Sequence, residues 1–226
     1  TADLAELDAR VSVCRACPRL VRWREDVAVA KRASFADQPY WGRPISGWGD
    51  DAPRVLIVGL APAANGGNRT GRVFTGDSSG DWLFASLHRV GLAALPTSVH
   101  AGDGQALLGA RVVATVRCAP PENKPTPEEI LNCLPHLEAE VAALPRVRVV
   151  VALGAIGYDA YLRLLRFQGL VPAPKPVFAH GSVDRLPNGI TLIGCYHPSR
   201  QNTNTGRLTH EMMVGVFRRA ARVIAR

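Results

Sequence analysis

Four short apolar runs, separated by segments with helical periodicity, constrain the fold of this chain more than any other feature. The runs are 54–58, 111–117, 146–153 and 191–196. The third ends in a nearly continuous β-branched stretch, which is typical of a central strand in a parallel sheet. Strands that alternate with helices predict a three-layer α/β/α fold with a central four-stranded parallel sheet and right-handed crossovers. At 226 residues we expect one domain, spanning 1–226.

Polar loops follow three of these runs, at 59–81, 118–127 and 197–207. Because the carboxyl ends of parallel strands meet at one edge of a sheet, the loops are predicted to form one cleft. The first loop reads GLAPAANGGNRTGRVFTGDSSGD, and its glycines let backbone approach a ligand closely. It lacks the lysine and hydroxyl residue of a P-loop and the G-x-G-x-x-G of a dinucleotide fold. We therefore expect no nucleotide cofactor.

Three polar residues in these loops are candidates for chemistry, and each has a structural alternative. His197 follows the fourth run and begins a dense polar stretch, which favours a site role, although many loop histidines have no specific task. Asn123 lies in a proline-framed loop and could act only as a turn former. Asp77 could serve only to cap the helix that follows it.

Cysteine spacing suggests a metal site. Cys14 and Cys17 form a C-x-x-C pair, and Cys118 and Cys133 form a wider pair with 14 residues between them. The four can be a zinc site, an iron-sulfur cluster or unrelated core cysteines, and the spacing leaves all three open. Cys195 lies within the fourth run and is expected to be a core residue.

The charge balance favours a polyanionic partner. Lys and Arg number 27 against 19 Asp and Glu, which gives a net charge of +8. Nearly all of the positively charged residues are arginine. We interpret the arginines of the basic segment 15–32 as a solvated face. The apolar runs are strand-sized, with no membrane span or signal peptide among them, so we expect a cytoplasmic protein. We also expect it to be a monomer.

Several motifs taken together resemble the type B, or family 5, uracil-DNA glycosylases of the uracil-DNA glycosylase superfamily. The resemblance covers most of the chain. It rests on GLAPAANGGNRTGRVFTGD at 59–77, RCAPPENKPTP at 117–127, YHPSRQNTNTGR at 196–207, PYWGRP at 39–44, GWGD at 47–50 and the four paired cysteines.

The resemblance implies an activity, a substrate and a cofactor. The family removes uracil, and some other deaminated bases such as hypoxanthine, from DNA by breaking the N-glycosidic bond, and it leaves an abasic site without lyase chemistry. A structural [4Fe-4S] cluster would be held by Cys14, Cys17, Cys118 and Cys133. The partner would be DNA that contains uracil or another deaminated base.

The resemblance also assigns roles within the cleft. A base must leave the duplex before its glycosidic bond can be reached. Phe74 would stack on that base, Asn123 would hydrogen-bond its polar edge, and His197 would donate to its O2 as negative charge builds. Leu60 follows Gly59 where sister families carry an acidic or amide residue. Our hypothesis is therefore that Asp77 orients the water and stabilises the oxocarbenium-like sugar.

The remaining predictions concern the walls of the cleft. We place Gly59, Ala61, Phe74 and Asn65 in the base pocket, and Asn65 stands where the family pattern suggests histidine. The residues expected to contact DNA are Arg69, Arg72, Ser199, Arg200, Gln201, Asn202 and Arg207. Two alternatives to a glycosylase are a non-catalytic iron-sulfur nucleic-acid-binding module and a redox protein that uses the cluster to transfer electrons.

Overall fold

Six strands form one sheet in the computed structural model, which describes residues 4–170 and 172–225. Their order across the sheet is β1-β3-β2-β4-β6-β5. The bounds are β1 Trp48–Gly49, β2 Val55–Gly59, β3 Ala110–Ala114, β4 Val149–Leu153, β5 Val183–Arg185 and β6 Thr191–Cys195. The four inner strands are parallel, as predicted, and β1 and β5 each pair antiparallel with an inner strand. The sheet is therefore wider than the predicted four strands by one short strand at each edge.

The inner strands are buried on both faces. Every residue of β2 is buried, and its side chains alternate between two helical layers. Val55 and Ile57 join a core with α4 (Ser78–Arg89) and α8 (His210–Ile224). Leu56 and Val58 join a core with α5 (Pro127–Ala143) and α6 (Ala155–Phe167). Each fully buried Val, Leu or Ile contributes about 1.5–3 kcal/mol. The three-layer α/β/α prediction is thus confirmed.

Four further α-helices lie in the described part of the chain. They are α1 Leu4–Ser12, α2 Pro18–Ala30, α3 Gly67–Thr70 and α7 Arg200–Asn204. Among the helices that the structure describes, none is long and apolar enough to cross a membrane.

Helix α2 lies in the basic segment, whose charge was interpreted as a solvated face and whose Leu20, Val21 and Trp23 were expected to pack. Pro18 occupies its first turn, where the missing N–H costs nothing, and Cys17 is the N-cap. One face of the helix is buried through Leu20, Val21 and Arg24. The interpretation as a wholly solvated face is wrong for Arg24, which is only 2% exposed.

Candidate active site

Three loops leave the same edge of the sheet because the strands before them are parallel. The loop after β3 stays beside the loop after β2, since Thr115 N donates to Gly59 O and Val116 N to Leu60 O, both at 2.9 Å. From β6 the chain continues into His197 and α7, and Arg200 Nε reaches Ser78 Oγ at 3.3 Å. The three loops therefore meet at the carboxyl edge of the sheet, where the sequence predicts the cleft.

Phe74 forms an apolar wall of this cleft in a backbone conformation that L-residues rarely adopt. Its φ is +53°, and strain of this kind is concentrated at functional sites. The ring lies over Gly59, where an added Cβ would stand 2.6 Å from Phe74 Cε2. The ring centroids of Phe74 and His197 are 5.8 Å apart. The loop after β2 and the loop after β6 thus meet at these two rings.

Asp77 is the N-cap of α4, as the structural alternative for this residue predicted. Its Oδ1 accepts from Gly80 N at 2.9 Å. The carboxylate lies against Gly66, where any Cβ would collide with it. Burial raises the pKa of Asp77, Asp81 raises it further, and the helix N–H groups and the Arg69 cation act in the opposite direction. The result is a sheltered carboxylate that holds its proton more tightly than an ordinary aspartate.

His197 is a neutral imidazole at physiological pH. Burial lowers its pKa to about 4, because a desolvated site disfavours the imidazolium. Its backbone carbonyl accepts from Asn202 Nδ2 at 2.8 Å, which fixes the chain where it turns from β6 into α7. No described hydrogen bond engages its ring nitrogens within residues 4–170 and 172–225. The ring is therefore able to donate to a ligand.

The two asparagines differ in how firmly they are held. Asn123 has φ +57° and follows Glu122 at +53°, so it occupies a tight turn with an exposed side chain. Asn65 is partly buried, and its Oδ1 accepts from the Tyr40 hydroxyl at 2.8 Å. Ala61, also predicted to line the base pocket, packs against a cluster that includes Cys17 and Cys118. The structure shows no contact of Asn123 or Ala61 with Phe74, Asp77 or His197.

The seven predicted DNA contacts divide into outward and inward side chains. Arg200, Gln201 and Arg207 are exposed, with the Arg207 guanidinium 4.7 Å from the Tyr196 ring centroid. Ser199 caps α7 by accepting from Asn202 N. These residues, together with Asn202, follow His197 directly and edge the cleft.

Arg69 and Arg72, by contrast, have protein partners. Arg72 pairs with Asp103 at 2.7 Å and is 11% exposed, and its guanidinium lies 4.3 Å from the Trp48 ring centroid. Arg69 donates to Asn65, Gln38 and Gly76. The phosphate contacts expected for these two arginines therefore stay a prediction that the internal contacts disfavour.

The four paired cysteines line one internal space. It lies between α2, α5 and the loop after β3, and its lining includes Cys14, Cys17, Cys118 and Cys133. Burial raises the pKa of the Cys118 thiol to about 12 and that of Cys133 to about 11. Among the described residues, no three His, Cys, Asp or Glu side chains are placed to hold one metal ion.

Polar N–H groups nevertheless point at three of the four sulfurs. Arg24 Nη1 lies 2.9 Å from Cys118 Sγ, the Arg117 amide lies 3.5 Å from Cys133 Sγ, and Asn132 Nδ2 lies 3.6 Å from Cys17 Sγ. Arg24 and Arg117 both line the space, and they are 2% and 1% exposed. Arg24 Nε, Arg117 Nε and Arg117 Nη1 have no hydrogen-bond partner among the described residues. Sequence reasoning missed both arginines, since their charge alone suggests exposure.

Comparison with known proteins agrees with this geometry. The family model described as the Uracil DNA glycosylase superfamily matches residues 46–221. The Type-5 uracil-DNA glycosylase of Mycobacterium tuberculosis (strain CDC 1551 / Oshkosh) is 57% identical over 222 residues, covering 98% of this chain and 82% of that protein. The Type-5 uracil-DNA glycosylase of Thermus thermophilus is 52% identical over 213 residues, covering 94% of each chain. The Type-5 uracil-DNA glycosylase of Pyrobaculum aerophilum is 46% identical over 212 residues, covering 94% of this chain and 89% of that protein.

These matches decide between the alternatives that the sequence left open. The relatives are named as enzymes, so a non-catalytic binding module and a redox protein are both disfavoured. The strands, the glycine loop and His197 all lie within the matched residues. This chain therefore belongs to the uracil DNA glycosylase superfamily and, within it, to the type-5 uracil-DNA glycosylases, a family of DNA glycosylases.

Proposed function

We propose that this protein excises uracil, and other deaminated bases such as hypoxanthine, from DNA by hydrolysing the N-glycosidic bond. The observation that carries the proposal is the meeting of Phe74 and His197 at the end of the sheet, 5.8 Å between ring centroids, with Asp77 in the same loop as Phe74. An aromatic face, a neutral imidazole and a sheltered carboxylate are what a flipped base and its sugar require.

The base enters the cleft as a flat, polar ring. Phe74 stacks against it, and the absence of a side chain at Gly59 leaves room for the Phe74 ring to lie against the strand end. The Asn123 amide offers both a donor and an acceptor to the base edge. Its exposure in the free protein leaves it available for this contact.

Cleavage of the glycosidic bond leaves negative charge on the base and positive charge on the sugar, and one residue stabilises each. The electron pair of the C1′–N1 bond leaves with uracil, and His197 donates a hydrogen bond to the base O2 as the negative charge spreads there. A neutral imidazole suffices, which fits its lowered pKa of about 4. Asp77 stabilises the positive sugar and orients the water that adds to C1′. The proton released by water neutralises the uracil anion.

Binding of the duplex is assigned to the outward residues at the edge of the cleft. Arg200 and Arg207 are exposed and carry the phosphate contacts, which are screened by salt. Ser199, Gln201 and Asn202 present polar groups beside them. The net charge of +8 supports attraction to DNA as a whole.

The cysteine-lined space fits a [4Fe-4S] cluster held by Cys14, Cys17, Cys118 and Cys133. The fit rests on the four thiols that line one space and on the N–H groups aimed at three sulfurs. It also rests on buried Arg24, whose guanidinium lies against Cys118 Sγ and whose positive charge offsets that of an anionic thiolate cluster. Arg117 lies beside the same space and is paired with Glu140 at 2.7 Å. The cluster's contribution would be structural, by joining the N-terminal helices to α5 and to the loop after β3.

The reaction is proposed to stop at the abasic site. A lyase step needs an amine nucleophile, and the chain contains only three lysines, Lys31, Lys124 and Lys175. Lys31 Nζ donates to backbone carbonyls of Ala36 and Gln38. Lys124 and Lys175 pair with Glu122 and Asp159 on the surface. These contacts support a monofunctional enzyme.

A base-excision panel tests the proposal. Oligonucleotide duplexes that each carry one uracil, one hypoxanthine or no lesion are incubated with the wild-type protein and with Asp77→Asn. We expect strand breaks at uracil and hypoxanthine only after alkali, none in the undamaged duplex, and a single-turnover rate reduced by about a hundredfold or more in Asp77→Asn. Intact uracil DNA after alkali would refute the function. Breaks without alkali would refute the monofunctional step, and a wild-type rate in Asp77→Asn would refute the role of Asp77.

A further inference from the structure

We propose that Arg69 is a positioning residue that holds the Asp77 carboxylate in its working place, and that it does not act as a phosphate contact. The inference rests on the proposed function, because Arg69 is assigned through Asp77. It is carried by the three hydrogen bonds of its guanidinium and by the positions of their acceptors.

The Arg69 guanidinium is directed into the glycine loop. Its Nε donates to Asn65 O at 2.8 Å, its Nη2 to Gly76 O at 3.0 Å and its Nη1 to Gln38 Oε1 at 2.7 Å. The planar face of the same group lies 3.9 Å from the Phe35 ring centroid. A group held by three acceptors and an aromatic face has a fixed position.

The two backbone acceptors lie directly beside the catalytic carboxylate. Asn65 precedes Gly66, against which the Asp77 carboxylate is packed. Gly76 precedes Asp77 itself. A Cβ at Gly76, whose φ is +74°, would stand 2.5 Å from Arg69 Nη2. The lack of a side chain at Gly76 therefore leaves room for the guanidinium beside the backbone. Arg69 therefore ties together the two backbone segments that define where the carboxylate lies.

The charge of Arg69 acts on the same carboxylate. Its cation lowers the pKa of Asp77, against burial and against Asp81 in the first turn of α4. From α7, Arg200 also approaches this turn through its contact with Ser78. A lysine at position 69 would keep the charge but cannot donate along three fixed directions. Charge and geometry can thus be separated by substitution.

Single-turnover excision of uracil by Arg69→Gln and Arg69→Lys tests the inference. With enzyme in excess over DNA, we expect the saturated rate of Arg69→Gln to fall by about tenfold to a hundredfold, because misplacement of a reacting group is costly. The acid limb of its pH–rate profile should move to higher pH. Arg69→Lys should keep the wild-type acid limb and recover only part of the rate. Affinity for DNA and its salt dependence should match those of the wild type in both variants.

A double substitution shows whether Arg69 acts through Asp77. Asp77→Asn/Arg69→Gln should be no slower than Asp77→Asn alone, since the group to be positioned is already absent. Arg89→Gln is the matched control: it removes the same charge from the far end of α4, where Arg89 pairs with Glu211 on the surface. Its rate should equal that of the wild type. Should Arg69→Gln fail to fold, Arg69→Lys still reports the reduced rate with an unchanged acid limb.

Two results would overturn the inference. One is weaker DNA binding with a shallower salt dependence and an unchanged saturated rate in Arg69→Gln, which is the behaviour of a phosphate contact. The other is a double variant whose loss equals the product of the two single losses. If the wild type releases no uracil, the proposed function fails and the Arg69 role with it. If the wild type is active and Arg69→Gln matches it, only the Arg69 role fails.

Discussion

Asp77 has two roles that its surroundings set against each other. Its carboxylate caps α4, which stabilises the fold, and it is partly buried, so that desolvation raises its pKa. Because the pKa is higher in the folded than in the unfolded chain, the folded state binds the proton more tightly. Stability therefore falls as pH rises from about 3.9, the ordinary value for aspartate, through the raised value. The charge that the reaction needs costs folding free energy at neutral pH.

The variant Asp77→Asn should separate these roles. Asparagine caps helices as well as aspartate does and carries no charge. We therefore expect a melting temperature at pH 7 equal to or above that of the wild type, with the difference shrinking as the pH falls towards about 4. Thermal unfolding across this pH range measures it. Asp77→Ala, which loses the cap, should be about 1 kcal/mol less stable than Asp77→Asn. A melting temperature of Asp77→Asn below that of the wild type at pH 7 would contradict the account.

Residues of the site were predictable when their place along the chain fixed their place in space. The loops that carry Phe74, Asp77 and His197 follow the ends of parallel strands, so the sheet alone brings these loops to one edge. The roles of the three residues were expected from the family resemblance. The inward arginines were not predictable in this way. Whether a long basic side chain faces solvent or the interior depends on acceptors that other segments supply, such as Gly76 O for Arg69 and Cys118 for Arg24.

At the scale of elements, the four apolar runs were identified with ends that differ from the observed strands by a few residues. Strand β4 begins at Val149, later than the predicted 146, because burial on both faces begins only there. The edge strands β1 and β5 escaped prediction, since two or three residues paired on one side carry no periodic signal. Helix α2 escaped because its buried face includes an arginine, which interrupts the apolar pattern.

The glycine loop is an element whose shape depends on a missing side chain. The Asp77 carboxylate occupies the space into which a Cβ at Gly66 would project, so alanine there would collide with it. We expect Gly66→Ala to lower the single-turnover rate by about tenfold or more through displacement of that carboxylate. Rapid-quench excision assays on a uracil duplex measure the rate.

Gly215→Ala is the control for the Gly66 substitution. Gly215 lies within α8, and a Cβ there meets no atom within 4 Å. Alanine in a helix is favoured over glycine by about 1 kcal/mol. This variant should be more stable than the wild type and equally fast. An unchanged rate in Gly66→Ala would show that the loop adapts without moving Asp77.

Across the whole molecule, the cysteine-lined space connects segments that are far apart in sequence. Cys17 begins α2, Cys118 follows β3, and Cys133 lies in α5. Arg24 links this space to the site, since it donates to Cys118 Sγ while its backbone carbonyl accepts from Asn68 Nδ2 in α3. A group bound by the four thiolates would therefore stabilise the glycine loop through Arg24 and Asn68.

Loss of one thiolate should show this connection. Cys133→Ala is expected to contain less iron and acid-labile sulfide than the wild type and to melt at a lower temperature, because a buried ligand of the proposed cluster is removed. Proteolysis should then cut more readily within residues 4–32, which contribute Cys14, Cys17 and Arg24 to this space. Metal analysis, absorbance and limited proteolysis measure the three effects independently of excision.

The fifth cysteine provides the comparison that makes this result specific. Cys195 is buried in β6, apart from the four thiols, and its substitution removes a sulfur of the same burial without touching the proposed ligands. Cys195→Ala should keep the wild-type iron content and the same protease resistance of the N-terminal helices, whatever small cavity it leaves. Equal iron in Cys133→Ala and Cys195→Ala would mean that iron binds elsewhere. Wild-type protein free of iron after anaerobic purification from iron-replete cells would leave the four thiols as core residues.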